Sequence, residues 1–117
     1  MKKVLIVDDA MFMRQSLRNM LEENGFEVVG EADNGAKGLE MYKELLPNIV
    51  TMDITMPIMD GIEALKSIKS YDSTAKIIMI TALGQEDLVK AAILHGAIGF
   101  IIKPFQSDTV LKALSVF

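Results

Sequence analysis

Five short apolar runs, each followed by a longer segment of helical spacing, constrain this chain more than any other feature. Val4-Leu5-Ile6-Val7 is an unbroken β-branched and leucine run, the pattern of a strand buried on both faces. Met13, Leu17, Met20 and Leu21 then recur at i, i+4, i+7 and i+8, one stripe of a helix that Asn24-Gly25 closes. Phe26–Ala32 reads as a second, less apolar strand, and Leu39, Tyr42 and Leu46 mark a second helix ended by Pro47. Ile49–Met52 is a third strand; after Asp60-Gly61, Ile62, Leu65 and Ile68 outline the next helix. Ile77–Ile80 is a fourth strand, and the helix after it turns Leu88, Ala92 and Ile93 inward and stops at Gly96. Phe100–Ile102 makes a fifth strand, and Val110, Leu114 and Phe117 give the final helix its stripe.

Strands that alternate with helices pair in parallel, because each crossover returns the chain to the same edge of the sheet. The apolar first, third and fourth strands belong inside that sheet, and the more polar second strand suits an edge. The expected fold is therefore α/β: a flavodoxin-like (βα)5, doubly wound, parallel five-stranded sheet with helices on both faces. The order 2-1-3-4-5 is adopted as the template for such a sheet. Half of the residues are apolar, enough for one core, and no linker, repeat or low-complexity tract divides residues 1–117. A single domain is expected.

The polar residues that matter follow the strands. Strand one ends in Asp8-Asp9, strand three in Asp53, strand four in Thr81 and strand five in Lys103-Pro104. In a parallel sheet these carboxyl ends share one edge, and strands one and three meet at the switch point where open α/β sheets bind ligands. Three carboxylates crowded into one crevice repel unless a cation sits among them. The chain has no cysteine and one histidine, which removes thiolate zinc, iron–sulfur clusters and the usual transition-metal cages. A hard, oxygen-seeking divalent ion remains, and Mg²⁺ is favoured because it takes one or two carboxylates, retains water and accepts a phosphate oxygen. A metal, a lysine and a hydroxyl around one carboxylate suit phosphoryl transfer, in which positioning and charge neutralisation supply most of the catalysis. Asp53, centrally placed and without an acidic neighbour in sequence, is the candidate nucleophile.

Asp8-Asp9 after a hydrophobic strand, Asp53-Ile54-Thr55-Met56-Pro57 with Asp60-Gly61, Thr81-Ala82, and Lys103-Pro104-Phe105 resemble the receiver domain of two-component response regulators. The resemblance takes in essentially the whole chain. The stretches Asp9-Ala10-Met11-Phe12-Met13-Arg14 and Leu83-Gly84-Gln85, and the lack of an output domain, are similar to stand-alone chemotaxis regulators of the CheY type. The resemblance implies that Asp53 takes a phosphoryl group from a histidine kinase of the chemotaxis type. It implies that Asp8, Asp9, Asp53 and the backbone carbonyl of Thr55 hold Mg²⁺, that Thr81 hydrogen-bonds the phosphoryl group and that Lys103 pairs with it. Ala82 would leave that group accessible, and the Lys103-Pro104 bond would be cis. Phe100 stands at the position of a switch aromatic that is often tyrosine in the family. The implied output face covers residues 85–117, for a flagellar motor switch protein or another target, and a phosphatase is a further implied partner. Such a protein catalyses only its own phosphorylation and dephosphorylation.

Each of these residues also has a plainer role open to it. Asp9 could cap the first helix, Asp60-Gly61 reads better as a turn into a helix than as part of the site, and Phe100 could be a packing residue. Met13 and Met20 read as core filler, and His95, just before Gly96, as a helix-end residue. Three other functions compete. A phosphatase of the haloacid dehalogenase kind needs a second acid two residues after the nucleophile, where this chain has Thr55. A flavodoxin-like cofactor site needs a Ser/Thr/Gly-rich phosphate loop where this chain has Asp8-Asp9. A receiver cut from a larger regulator with a DNA-binding or enzymatic output is the third. Lys and Arg total 12 against 16 for Asp and Glu, a net charge of −4, which argues against nucleic acid or an anionic membrane as a direct partner. The Val4–Val7 run is too short for a signal-peptide core, so a cytoplasmic protein is expected.

Overall fold

The computed structural model describes residues 1–115 as strands and helices in strict alternation. The elements are β1 (Lys3–Val7), α1 (Met11–Glu22), β2 (Glu27–Ala32), α2 (Gly35–Leu45), β3 (Ile49–Asp53), α3 (Gly61–Tyr71), β4 (Ile77–Ala82), α4 (Glu86–Leu94), β5 (Gly99–Lys103) and α5 (Ser107–Leu114). All strand pairs are parallel, in the order β2-β1-β3-β4-β5. This is the doubly wound order taken above as the template.

Alternation along the central strands explains why they are apolar throughout. Leu5, Val7, Val50, Met52, Ile77 and Met79 face one layer, which α2, α3 and α4 close with Tyr42, Ala64, Leu65, Ile68 and Ala92. Val4, Ile6, Ile49, Ile78 and Ile80 face the other, closed by Leu17 and Leu21 of α1 and Val110 and Leu114 of α5. The register levels the strand ends: Val7 lies opposite Met52, Asp53 opposite Ile80, and Ala82 opposite Lys103. Residues just past those positions therefore emerge along one edge.

Two details of the helical stripes differ from the sequence reading. Leu46 is not on the inner stripe of α2: it is the left-handed C-cap (φ 45°) and is 59 % exposed, while Met41 and Leu45 pack instead. Pro47 disfavours the helical region for the residue before it, so the helix ends one residue early and Leu46 swings out. In α4, Val89 and Ala92 face inward, whereas Leu88 and Ile93 are exposed. Leu88 and Val89 both stand one turn before Ala92, and only the position of the sheet selects between them. Phe117 lies outside the described residues. His95 is the C-cap of α4, and Gly96 (φ +102°) ends that helix as expected. No helix among the described residues is long and apolar enough to cross a membrane.

Candidate functional site

The carboxyl ends of β1, β3, β4 and β5 gather Asp8, Asp9, Asp53, Thr81 and Lys103. Asp8 is 1 % exposed and its groups are fully engaged. Its Oδ1 accepts from the Ala10 N–H (2.9 Å), its Oδ2 from Lys103 Nζ (3.1 Å), and its carbonyl from Arg14 Nη1 (2.7 Å). Asp9 is exposed. It does not cap α1, whose N-cap is Ala10 with no side-chain cap bond. The plainer reading of Asp9 is therefore not realised, and its carboxylate is free to face the crevice.

Asp53 is 8 % exposed, and its Oδ1 lies 3.5 Å from Lys103 Nζ. Burial pushes its carboxyl up from 3.8 to about 6, the charge of Asp8 pushes the same way, and Lys103 only partly opposes them. Met52 and Met56, in and just after β3, are themselves buried, and Met59 packs on the core. Gly61 completes the fit on the other side. A Cβ there would fall on the Asp53 carbonyl oxygen, so only glycine lets the start of α3 close against the end of β3. Asp60 caps that helix, its Oδ1 accepting from the Glu63 N–H at 2.9 Å, which makes it a helix-entry residue. Between them, Ile58 sits at φ 69° within a γ-turn closed by Met59 N–H to Pro57 carbonyl (2.7 Å), a strained conformation for a β-branched residue.

Oxygen atoms of Asp8, Asp9 and Asp53 lie within 4.8 Å of one another. Carboxylates alone, two of them buried and one open to water, fit a hard divalent cation that keeps part of its hydration shell. Lys103 offers a second positive charge on the side of Asp8 and Asp53. Thr81, 2 % exposed, donates its hydroxyl to Gln85 Oε1 at 2.7 Å. It also lines an apolar groove with Val89, Ile93, Phe100 and Ile102, so one residue borders both the acidic crevice and the α4–β5 surface. Phe100 is half exposed (48 %) in that groove. The Lys103-Pro104 bond is cis.

Two contributors escaped the sequence reading as site residues. Gln85 bonds Thr81, the Ala82 N–H and the Thr55 hydroxyl. Arg14 clamps the Asp8 carbonyl and pairs with Glu31 (3.1 Å), fixing α1 to β2 beside the acids. The one available signal for Arg14 was the pair of arginines on α1, Arg14 and Arg18, facing a single acid of the edge strand, Glu31, which both of them bind.

A family model described as the response regulator receiver domain matches residues 4–115. Chemotaxis protein CheY of Bacillus subtilis is 58 % identical over 113 residues, which are 97 % of this chain and 94 % of that protein. Chemotaxis protein CheY of Thermotoga maritima is 55 % identical over 114 residues, 97 % of this chain and 95 % of that protein. Among solved structures, a chain of the CheX–CheY–BeF3–Mg²⁺ complex from Borrelia burgdorferi matches with a TM-score of 0.94 at 43 % identity. It covers 99 % of this chain and 89 % of that one.

Proposed function

This chain belongs to the response regulator receiver domain family, and from that premise we propose that it is a chemotaxis signalling switch whose phosphoryl acceptor is Asp53. Receiver domains of this kind are signalling proteins rather than enzymes acting on an external substrate, and they bind Mg²⁺ at an acidic pocket. One observation carries the assignment to Asp53: a nearly buried carboxylate, raised in pKa, shares one lysine with a second buried acid and lies within reach of a third. We take residues 1–117 as one such domain.

Asp8, Asp9 and Asp53, with the Thr55 backbone carbonyl, are the residues that would hold Mg²⁺. When bound, the ion supplies positive charge that neutralises the phosphoryl oxygens as transfer proceeds. The chain's own residues do the rest. An ionised Asp53 oxygen attacks phosphorus as the bond to the donor breaks, and the bonding pair leaves with the donor, a kinase histidine or the carboxylate of a small acyl phosphate. Lys103, already 3.5 Å from Asp53, pairs with the added negative charge. The Thr81 hydroxyl turns to donate to a phosphoryl oxygen. Its withdrawal from the groove makes room for Phe100, which has no phenolic oxygen to hydrogen-bond in either position. Phosphorylation thereby changes the face built from residues 85–117, and a partner that prefers the changed face shifts the equilibrium toward it.

The kinase is a histidine kinase of the chemotaxis type, and the downstream target is a flagellar motor switch protein or its equivalent. A dephosphorylating partner is included because the matched Borrelia complex contains CheX together with CheY. The setting is the cytoplasm. To test the assignment, the protein is incubated with Mg²⁺ and a small acyl phosphate and its intact mass is followed. One phosphoryl group should be gained, in a Mg²⁺-dependent manner, and Asp53→Asn should gain none. An unchanged mass, or an equal gain in the variant, would overturn it.

A further inference from the structure

The two hydroxyls that flank Asp53 are tied to a single side chain. Gln85, at the N-cap position of α4, accepts at Oε1 from the Thr81 hydroxyl (2.7 Å) and from the Ala82 N–H (2.9 Å). Its Nε2 donates to Thr55 Oγ1 at 3.0 Å. Thr55 follows Asp53 by two residues in the loop after β3, and Thr81 lies at the end of β4, one residue past the partner of Asp53 in the sheet register. One amide therefore bridges the two loops that border the acceptor. The turn that brings Gln85 back over Thr81 runs through Gly84, whose φ of +91° is readily available only to glycine.

A threonine hydroxyl has one proton to give. In this arrangement the proton is committed to Gln85, and the Ala82 carbonyl, at 3.2 Å, is its one other acceptor among the described residues. Thr81 is nearly buried, so water competes poorly for that bond. While it stands, the hydroxyl cannot also donate to a phosphoryl oxygen on Asp53. When it breaks, Gln85 Oε1 retains the Ala82 N–H and is not left unsatisfied. The two arrangements of Thr81 thus differ by one hydrogen bond on the resting side, a modest and adjustable difference.

The geometry points to Gln85 as a positioning residue that holds Thr81 in the resting arrangement and so slows phosphoryl uptake by Asp53. This rests on the reading of Asp53 as the acceptor. Gln85 does not touch the reacting atoms in this role; it acts through Thr81. Losing one such hydrogen bond corresponds to about a three- to tenfold change in rate.

The test uses the full chain with Mg²⁺ and a small acyl phosphate, and reads the initial rate of mass gain. Gln85→Leu keeps the bulk of the side chain and removes its hydrogen bonds, whereas Gln85→Ala removes both. Each is measured in the Thr81 chain and in Thr81→Ala, where no hydroxyl remains to be held. Both variants should raise the rate about three- to tenfold with Thr81 present and change it less than about twofold in Thr81→Ala. A fall or no change with Thr81 present, or an equal change in both backgrounds, overturns the inference. So does an effect confined to one of the two Gln85 variants, since that assigns it to side-chain bulk. Failure of the acceptor reading is separable: the parent chain would then take up no phosphoryl group at all.

Discussion

The two ends of the sheet satisfy their polar groups in different ways. At the amino end the groups close on one another. Asp72 accepts from the buried Tyr42 phenol (2.8 Å) and from both the N–H (3.0 Å) and the hydroxyl (2.6 Å) of Thr74. Lys3 N–H donates to Asn48 Oδ1 (2.7 Å), and Lys69 Nζ covers the carbonyls of Ser73 and Ala75. At the carboxyl end Asp8, Asp9 and Asp53 cluster, the ammonium of Lys103 pairs with Asp8 and Asp53 alone, and Ile58 holds a strained turn beside them. The amino end contributes stability as it stands. The carboxyl end gives some up and leaves its charge balance to be completed from outside.

The contrast predicts opposite responses to pH. Thr74, with help from Tyr42, holds the Asp72 carboxyl below its ordinary value of 3.8, so its contribution is present above that value and lost as pH falls through the lowered one. Asp53 is raised from 3.8 to about 6, so the folded state binds its proton more tightly than the unfolded state. Its contribution is therefore greatest below about 3.8 and declines as pH rises to about 6. The largest stability effect should come from here. Without divalent metal at pH 7, Asp53→Asn should stabilise the fold, by up to roughly 3 kcal/mol for a rise of about two pH units. Denaturant unfolding measures it, and the gain should shrink as pH is lowered through 6. A destabilised variant would mean that Asp53 is as well satisfied as Asp72.

Smaller effects should fall on either side of zero according to the end they touch. Tyr42→Phe, at the amino end, should cost about 1 kcal/mol, because the ring stays packed and only the hydrogen bond is lost. Ile58→Gly, at the carboxyl end, should gain about 0.5 kcal/mol: relief of the positive φ outweighs the added freedom of the unfolded chain. Equal signs for these two substitutions would dissolve the distinction between the ends.

The sequence made the carboxyl end legible because sheet topology does the gathering. Once Val4–Val7, Ile49–Met52 and Ile77–Ile80 are read as parallel strands, whatever follows them must share an edge, whatever its distance in sequence. Asp8, Asp53, Thr81 and Lys103 needed no further information. Side-chain direction was harder to read where two periodic solutions existed. Leu88 and Val89 are both one turn from Ala92, and only contact with the sheet shows that Val89 is the inner one. Leu46 continued a helical spacing that Pro47 cut short. Gln85 and Arg14 were illegible as site residues for another reason. Their bonds run between loops, or from helix to edge strand, and no periodicity records such contacts.

The central claim is that Asp53 is the acid at the carboxyl end that accepts the phosphoryl group, while Asp8 and Asp9 assist it. Reduction of the phosphorylated protein with borohydride, followed by peptide sequencing by mass spectrometry, tests this most directly, since an aspartyl phosphate is converted to homoserine. Homoserine should appear at position 53 and at neither 8 nor 9; homoserine at one of those two positions, or at none, would contradict the account.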